Sequence, residues 1–318
     1  PTGSVVRTFL SADTAPCEEC LEEMHAPGRR YKYPFTNCTN CGPRYTIIES
    51  IPYDRRRTSM SKFPMCSSCQ EEYDTMEGRR YHAEPNACCE CGPSYRLVNT
   101  EGQEIVCQDV FEETRKRIAQ GKIVALKGIG GYHLVCDAGN EEAVIRLRIR
   151  KERPDKPLAL MAGSLERARQ LVHINESEEA LLTHMARPIV LLDCLEGDEL
   201  ENGSSSLAPS VAPHQHSLGI MLPYAPVHYA LVPTDAVWVM TSGNHSGSPV
   251  IFTDQEALDE LSDVADVFLV HNRNIVSPVD DSVAMVVDNE PLLIRRSRGY
   301  VPEPVFVSSL LKAPSVVA

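Results

Sequence analysis

Positive charge is in short supply in this chain. Thirty-one lysines and arginines face 44 aspartates and glutamates across 318 residues, a formal net charge of −13. That balance excludes a generic polyanion binder, so any nucleotide or phosphate site has to come from local placement of cations. Long apolar runs are lacking too. None approaches the roughly 20 residues that a membrane-crossing helix needs, and the start shows no signal-peptide pattern. The opening Pro1-Thr2-Gly3-Ser4 has no initiator methionine, so an upstream segment is expected, with residues 1–16 as the linker from it. Scattered cysteines of the secreted, oxidised kind are also missing. Eight of the twelve cysteines form four Cys-x-x-Cys pairs within the first 91 residues. Such knuckles favour zinc in a reducing compartment, and a cytoplasmic protein is expected.

What is present in that first stretch is a duplication. Cys17-x-x-Cys20 and Cys38-x-x-Cys41 make one set, and Cys66-x-x-Cys69 and Cys88-x-x-Cys91 the next. Gly28-Arg29-Arg30-Tyr31 recurs as Gly78-Arg79-Arg80-Tyr81, and Cys41-Gly42-Pro43 as Cys91-Gly92-Pro93, a period of 50 residues. Each knuckle turns two thiolates to one side. Two knuckles complete a tetrahedral four-thiolate zinc site with no water position, which is structural rather than catalytic. Two Zn²⁺ ions are therefore expected in a module spanning residues 17–100, with metal supplying most of its folding energy. Pairing within each repeat is the simpler arrangement, and crossed pairing fits the spacing as well. Cys89 falls outside the knuckle spacing. Arg29, Arg30, Arg55, Arg56, Arg57, Arg79 and Arg80 are candidates for RNA or phosphate contact, but nearby acids offset them, and a structural or docking role is the favoured reading.

Residues 96–108 read as a linker, and residues 105–310 as one α/β domain. Helices are predicted over 109–120, 141–151, 164–171, 176–185, 226–231 and 255–261. Strands are predicted over 123–126, 158–161, 189–193, 218–222, 236–240 and 267–270, with a late hairpin over 283–287 and 292–295. Glu196 to Pro213 is acidic and rich in Gly, Ser and Pro, and reads as a long mobile loop. Strands alternating with helices, closed by a hairpin, give a mixed open sheet with flanking helices: an α+β or α/β fold behind a small duplicated four-cysteine zinc-finger module.

One stretch of this domain stands out. Gly128, Gly130 and Gly131 lie among Lys127, Arg150, Lys151, Arg153 and Lys156, a glycine loop beside a cation cluster that would suit phosphates. His133 is read as sitting inside that loop. Ser242 and Asn244 follow a strand, where open α/β sheets bind ligands. Asp280-Asp281-Ser282 precedes the hairpin, as a candidate hold for Mg²⁺ or an amide. Arg295, Arg296 and Arg298 at the hairpin's end are candidates to pin a triphosphate.

Lys151-Glu152-Arg153-Pro154 before a strand, Ser242-Gly243-Asn244 after one and Ser282-Val283 ahead of a late strand resemble the YrdC family of threonylcarbamoyl-AMP synthases. The duplicated zinc module, with Tyr33-Pro34-Phe35-Thr36-Asn37-Cys38-Thr39-Asn40-Cys41-Gly42-Pro43, makes the whole chain similar to the HypF family of hydrogenase-maturation carbamoyltransferases. Where the synthases carry Pro-Thr and Gly, this chain carries Lys127-Gly128 and His133, as the HypF pattern Lys-Gly-Ile-Gly-Gly-Tyr-His does. The resemblance implies an ATP-dependent enzyme that forms carbamoyl-adenylate from carbamate derived from carbamoyl phosphate. Its protein partner would be HypE, and the family's acylphosphatase and transfer domains lie outside these residues. On that reading Lys151, Arg153, Lys156 and Arg295 or Arg296 hold ATP phosphates, and Ser242, Asn244 and Ser282 complete the nucleotide site. Lys127 and His133 hold the carbamoyl group, and Mg²⁺ bridges phosphates. The alternatives are a threonylcarbamoyl-AMP synthase acting for tRNA and a zinc-dependent RNA-binding module.

Overall fold

The computed structural model describes residues 10–195 and 207–305. In the finger module, helices α1 (Glu18–His25) and α2 (Ser67–Asp74) each begin one residue after the first cysteine of a knuckle. Cys17 and Cys66 are the N-caps. The rest of the module is turns and short 3-10 pieces around a small core of Tyr33, Phe35, Ile47, Met60 and Ala87.

The chain then runs through β1 (Tyr95–Val98), α3 (Val110–Ala119), β2 (Val124–Lys127), β3 (Tyr132–Asp137), α4 (Glu141–Arg150), β4 (Leu160–Ala162), α5 (Leu165–Arg169) and α6 (Glu176–Thr183). It continues through β5 (Ile189–Asp193), β6 (Ser217–Met221), α7 (Pro226–Leu231), β7 (Val237–Ser242), α8 (Asp254–Leu261), β8 (Val267–His271), β9 (Val283–Val287) and β10 (Glu290–Arg295). One mixed sheet holds all ten strands in the order β1-β8-β2-β3-β7-β4-β6-β5-β9-β10. The pairs β2–β8, β4–β6 and β5–β9 are parallel and the others antiparallel. Alternate residues feed the two faces. Ala125 and Leu134 join α4, α5, α6 and α8 in one core, whereas Val124 and Leu126 join α3 and α7 in the other.

The helices carry ordinary start signals. Asn140 caps α4 by accepting from the Ala143 amide, with Glu141 and Glu142 in the first turn. A full capping box between Asn175 and Glu178 starts α6. No helix among the described residues is long and apolar enough to cross a membrane.

Two expectations need correction. The predicted linker 96–108 opens inside a strand: β1 leaves the second finger and pairs antiparallel with β8, burying Leu97 and Val98. The segment between the glycines and the 141–151 helix, for which no element is predicted, is a strand. It is β3, which is almost wholly buried and sits mid-sheet between β2 and β7. Gly128–Gly131 is therefore the tight connection of a β2–β3 hairpin, closed by the Gly128 amide donating to the Gly131 carbonyl at 2.8 Å. Of the expected long loop, residues 207–213 are described and include a 3-10 turn at Pro209–Val211; residues 196–206 lie outside the described residues, as do residues 1–9 of the expected linker and 306–310 of the expected domain.

Candidate functional site

The four thiols of each repeat converge. Cys17, Cys20, Cys38 and Cys41 form one cluster and Cys66, Cys69, Cys88 and Cys91 the other, so the pairing runs within each repeat. Sulfur–sulfur separations of 3.6 Å (Cys17–Cys38 and Cys20–Cys41), 3.8 Å (Cys66–Cys88) and 3.9 Å (Cys88–Cys91) are far too long for disulfides. They match the edge of about 3.8 Å expected of a tetrahedron with zinc–sulfur bonds of about 2.3 Å. Both clusters thus fit structural Zn²⁺. Three of the module's seven candidate arginines are turned inward, whereas Arg56, Arg57 and Arg79 are exposed. Arg30, Arg55 and Arg80 are buried. Arg30 bridges Glu23 at 3.0 Å and Glu72 at 2.5 Å, and Arg55 donates to the Asn86 carbonyl at 2.8 Å. Side chains that hold the two repeats together are poorly placed to grip RNA.

The second site is a cavity of about 560 Å³, well within the range of small-molecule pockets. Its floor is sheet: Ile189 and Leu191 of β5, Gly219 of β6, Met240 of β7 and Val283 of β9. Ile189 and Met240 belong to the core face that carries α3 and α7. Its rim is cationic, with Lys151, Arg153, Lys156 and Arg295, together with Ser242, Asn244 and the Asp280–Asp281 pair. Four of the predicted phosphate ligands and both predicted strand-end polar residues therefore meet in one place.

How they come together is local. Val144, Leu147, Arg148 and Lys151 share the buried face of α4 and its C-cap. Lys151 is 1% exposed. Its ammonium donates to the Ser242 carbonyl at 2.6 Å, the Asn244 carbonyl at 2.5 Å and Asn244 Oδ1 at 2.8 Å. Ser242 Oγ donates to the same Oδ1 at 2.8 Å, so helix end and strand end are tied by one amine. All of its acceptors are neutral. Burial, reinforced by Arg153 and Lys156, pushes the Lys151 amine down to about 7. Arg153 is likewise lowered by burial, then by Arg148 and Arg295. A net-acidic chain has gathered four cations here, and among the described residues Arg295 is the one of them paired with a carboxylate.

Arg148 was not among the sequence candidates, yet it shapes the rim. Its guanidinium donates to the carbonyls of Arg153, Pro154 and Lys156 at 2.8, 3.0 and 3.2 Å and to Val211 at 3.0 Å, pinning the loop that presents Arg153 and Lys156. Helical spacing from Val144 and Leu147 was the available signal. Asp281 was named in the sequence only as a possible metal or amide ligand. Both of its oxygens are spent, one accepting from Arg298 Nε at 2.7 Å and one facing His133 Nε2 at 2.9 Å. Burial alone would raise this carboxyl, but Arg298 and His133 outweigh it and hold it well below the usual carboxylate range. Tyr224, also missed, lies under the Arg298 guanidinium, 3.4 Å from its ring centroid, and its hydroxyl is 3.3 Å from His133 Nε2.

Other candidates lie elsewhere. Lys127 does not line the cavity; it bonds Asp254 at 2.5 Å and the His271 carbonyl at 3.1 Å. His133 stands behind Asp281, outside the lining. Ser282 is buried, donating to the Arg298 carbonyl at 2.9 Å. Arg296 donates to the Tyr300 and Glu303 carbonyls at 2.9 and 2.6 Å. Arg150 pairs with Asp266 at 3.1 Å, in a different surface hollow. The glycines do not cradle anything either. A Cβ on Gly130 would sit 2.7 Å from the Val279 carbonyl, and one on Gly131 2.6 Å from a Val250 methyl. Their smallness lets two cavity-wall loops pack against the hairpin. As for Mg²⁺, Asp280 is also engaged, its Oδ1 accepting from the Asp281 amide at 2.8 Å and its Oδ2 pairing with Arg295. The lining therefore offers no ready magnesium cage.

The Sua5/YciO/YrdC family model, described as telomere recombination, matches residues 116–297, and the HypF finger model matches residues 17–48 and 65–98. Carbamoyltransferase HypF2 of Cupriavidus necator is 44% identical over 99% of this chain, which spans 40% of that protein. Carbamoyltransferase HypF of Rhodobacter capsulatus is 44% identical over 98% of the chain, again spanning 40% of the relative. A solved full-length HypF in a phosphate- and nucleotide-bound form aligns with TM-score 0.87 and 47% identity, over 93% of this chain and 38% of that one. HypF from T. kodakarensis aligns at 0.88 and 45%, over 96% of this chain and 40% of that one. Sua5 of P. abyssi, at 20% identity and TM-score 0.50 over 59% of this chain and 53% of that one, shares the fold. The chain spans about two fifths of the curated relatives it matches, and over that span, with two four-cysteine fingers joined to a Sua5/YciO/YrdC domain, it belongs to the HypF carbamoyltransferase family.

Proposed function

We propose that this chain forms carbamoyl-adenylate from ATP and carbamate, releasing pyrophosphate, as a step in nickel–iron hydrogenase maturation. The observation that carries the reading is the cavity itself: Lys151, Arg153, Lys156 and Arg295 surround an apolar floor, and the two carboxylates of the lining are already engaged. A nucleotide suits both halves. Its base would lie on the floor of Ile189, Leu191 and Met240, and its phosphates would face the cations. The nucleotide reported for the full-length HypF structure supports the same assignment.

A carbamate oxygen attacks the α-phosphorus, the bond to the bridging oxygen breaks, and pyrophosphate leaves with the electron pair. No base is needed, because the nucleophile is already an anion. The protein's contribution is to align two anions and offset their repulsion. Lys151 and Arg153 would hold the transferring phosphoryl group, with Lys156 and Arg295 on the departing pyrophosphate. Ser242 and Asn244 would fix oxygens at the strand end. Magnesium would enter with ATP as part of the substrate. Carbamate would be drawn from carbamoyl phosphate, and the product handed on towards HypE, by parts of the protein outside this chain. Lys127 and His133 would act on the carbamoyl group only through the elements they brace.

The test is ATP–pyrophosphate exchange in Arg153→Ala. Removing one transition-state cation of this kind costs roughly 2.7–4 kcal/mol, so exchange should fall at least about a hundredfold while the circular dichroism spectrum persists. Exchange at the wild-type rate would remove Arg153, and with it the assigned phosphate site. The adenylate of threonylcarbamate appearing instead, on supplying threonine and bicarbonate, would redirect the reading to the tRNA pathway.

A further inference from the structure

Each finger repeat lends an arginine to the other repeat's thiolates. Arg79, from the loop between Cys69 and Cys88, donates to Cys20 Sγ at 3.0 Å and Cys17 Sγ at 3.4 Å in the first cluster. Arg29, from the loop between Cys20 and Cys38, reaches Cys69 Sγ at 3.7 Å and Cys66 Sγ at 3.8 Å in the second. Arg30 Nη2 adds a third crossing contact to Cys69 at 3.7 Å. The two arginines are 50 residues apart, the period of the duplication.

The exchange is latched from both sides at equivalent positions. Thr39, inside the Cys38–Cys41 knuckle, donates its hydroxyl to the Arg79 carbonyl at 2.9 Å and its amide to the same oxygen at 3.0 Å. Cys89, inside the Cys88–Cys91 knuckle, donates its thiol to the Arg29 carbonyl at 3.5 Å. Thr39 and Cys89 are also 50 residues apart. That gives a use to the one exposed cysteine of the module that belongs to no knuckle.

A Zn²⁺ ion with four thiolates carries two net negative charges, and donors to the sulfurs are part of what holds the metal. Here those donors come from the other repeat. That repeat has little apolar core of its own and depends on its own ion for its shape. We propose that the two metal sites load cooperatively, because each cluster's outer-shell arginine sits on a loop whose two ends are anchored by the opposite cluster's cysteines.

The test is metal titration of the full 318-residue chain, with Co²⁺ absorption reporting site geometry and a chromophoric chelator reporting Zn²⁺ affinity. Disabling the second cluster with Cys66→Ser/Cys69→Ser should weaken the first about 10–100-fold, the usual scale for a lost outer-shell partner. Arg79→Ala with both clusters intact should weaken the first cluster similarly and shift its thiolate-to-cobalt charge-transfer band, which loss of fold stability alone would not do. In the Cys66→Ser/Cys69→Ser background Arg79→Ala should cost little more. A first cluster that binds normally without the second overturns the proposal. So does Arg79→Ala that leaves affinity and band unchanged, or that costs the same in both backgrounds.

Discussion

Lys151 is where the chemistry of the cavity is most exposed to measurement. Its amine is buried among neutral acceptors and lowered to about 7, so near neutrality it is only half protonated. A bound polyphosphate favours the charged form, and binding above pH 7 must take up a proton. Nucleotide affinity, read by calorimetry in buffers of different ionisation enthalpy, should fall roughly tenfold from pH 7 to about 8.5, with proton uptake. Lys151→Met should bind weakly and without that slope; a flat wild-type profile would mean the amine never touches the anion. The stability sign is opposite. Between about 7 and the ordinary 10.5 the unfolded chain holds a proton that the folded chain has lost, so stability contributed by this group rises with pH across that window, and its burial cost is fully present below it. Arg298 makes a second residue-scale case. It is 4% exposed, and its loss would strand the equally buried Asp281 with His133 as its remaining charge partner. Arg298→Ala should destabilise by about 3–5 kcal/mol in urea unfolding, and a change under about 1 kcal/mol would show that the Asp281 network carries no weight.

Among the elements, the β2–β3 hairpin separates what could be read from what could not. Helices α3, α4, α6, α7 and α8 and strands β2, β4, β5, β6, β7 and β8 fall within a few residues of the expectations, because caps, Pro154 and apolar periodicity mark them. β3 escaped because Tyr132–Asp137 is buried on both faces and shows no alternation, and because three glycines beside cations suggested a phosphate loop. β1 escaped because four residues after a finger look like a tail until β8 pairs with them. The same limit applies to the site. Lys151, Arg153, Lys156, Arg295, Ser242 and Asn244 were legible as charge or polarity at element ends. The withdrawal of Lys127, Ser282 and Arg296 was not, since it depends on partners more than a hundred residues away for Lys127 and on turns of the chain for the other two. The glycines still matter, through packing. Gly130→Ala would drive a methyl into the Val279 carbonyl, one residue before Asp280. It should cost about 1–3 kcal/mol of stability and weaken nucleotide binding by shifting the Asp280–Asp281 wall. Wild-type binding in this variant would mean that wall is not part of the site.

For the molecule as a whole, the question is whether the fingers are an appendage or part of the α/β domain. The packing says part. Phe35, three residues before Cys38, stacks on Tyr95 of β1 at 5.1 Å, meets His271 of β8 edge-on at 5.3 Å and lies under the buried Arg273 guanidinium at 4.9 Å. Asp13 and Thr46 continue the seam: Asp13 accepts from the Arg44 and Thr46 amides, and the Thr46 carbonyl accepts from the Val276 amide at 2.8 Å. Metal removal therefore cannot stay local. Losing the first cluster frees the Cys38 segment and with it Phe35, whose burial alone is worth about 3–5 kcal/mol against alanine. The sheet edge at β1–β8 and the Lys127–His271 bond behind it lose their cover at the same time. Chelating zinc should lower the unfolding midpoint of the α/β domain itself, seen by the fluorescence of Trp238 in β7, four places along the sheet from β1. Phe35→Ala with zinc retained should reproduce part of the shift. A Trp238 transition indifferent to chelator would instead make the module a separately folding attachment, and the aromatic seam a contact without energetic consequence.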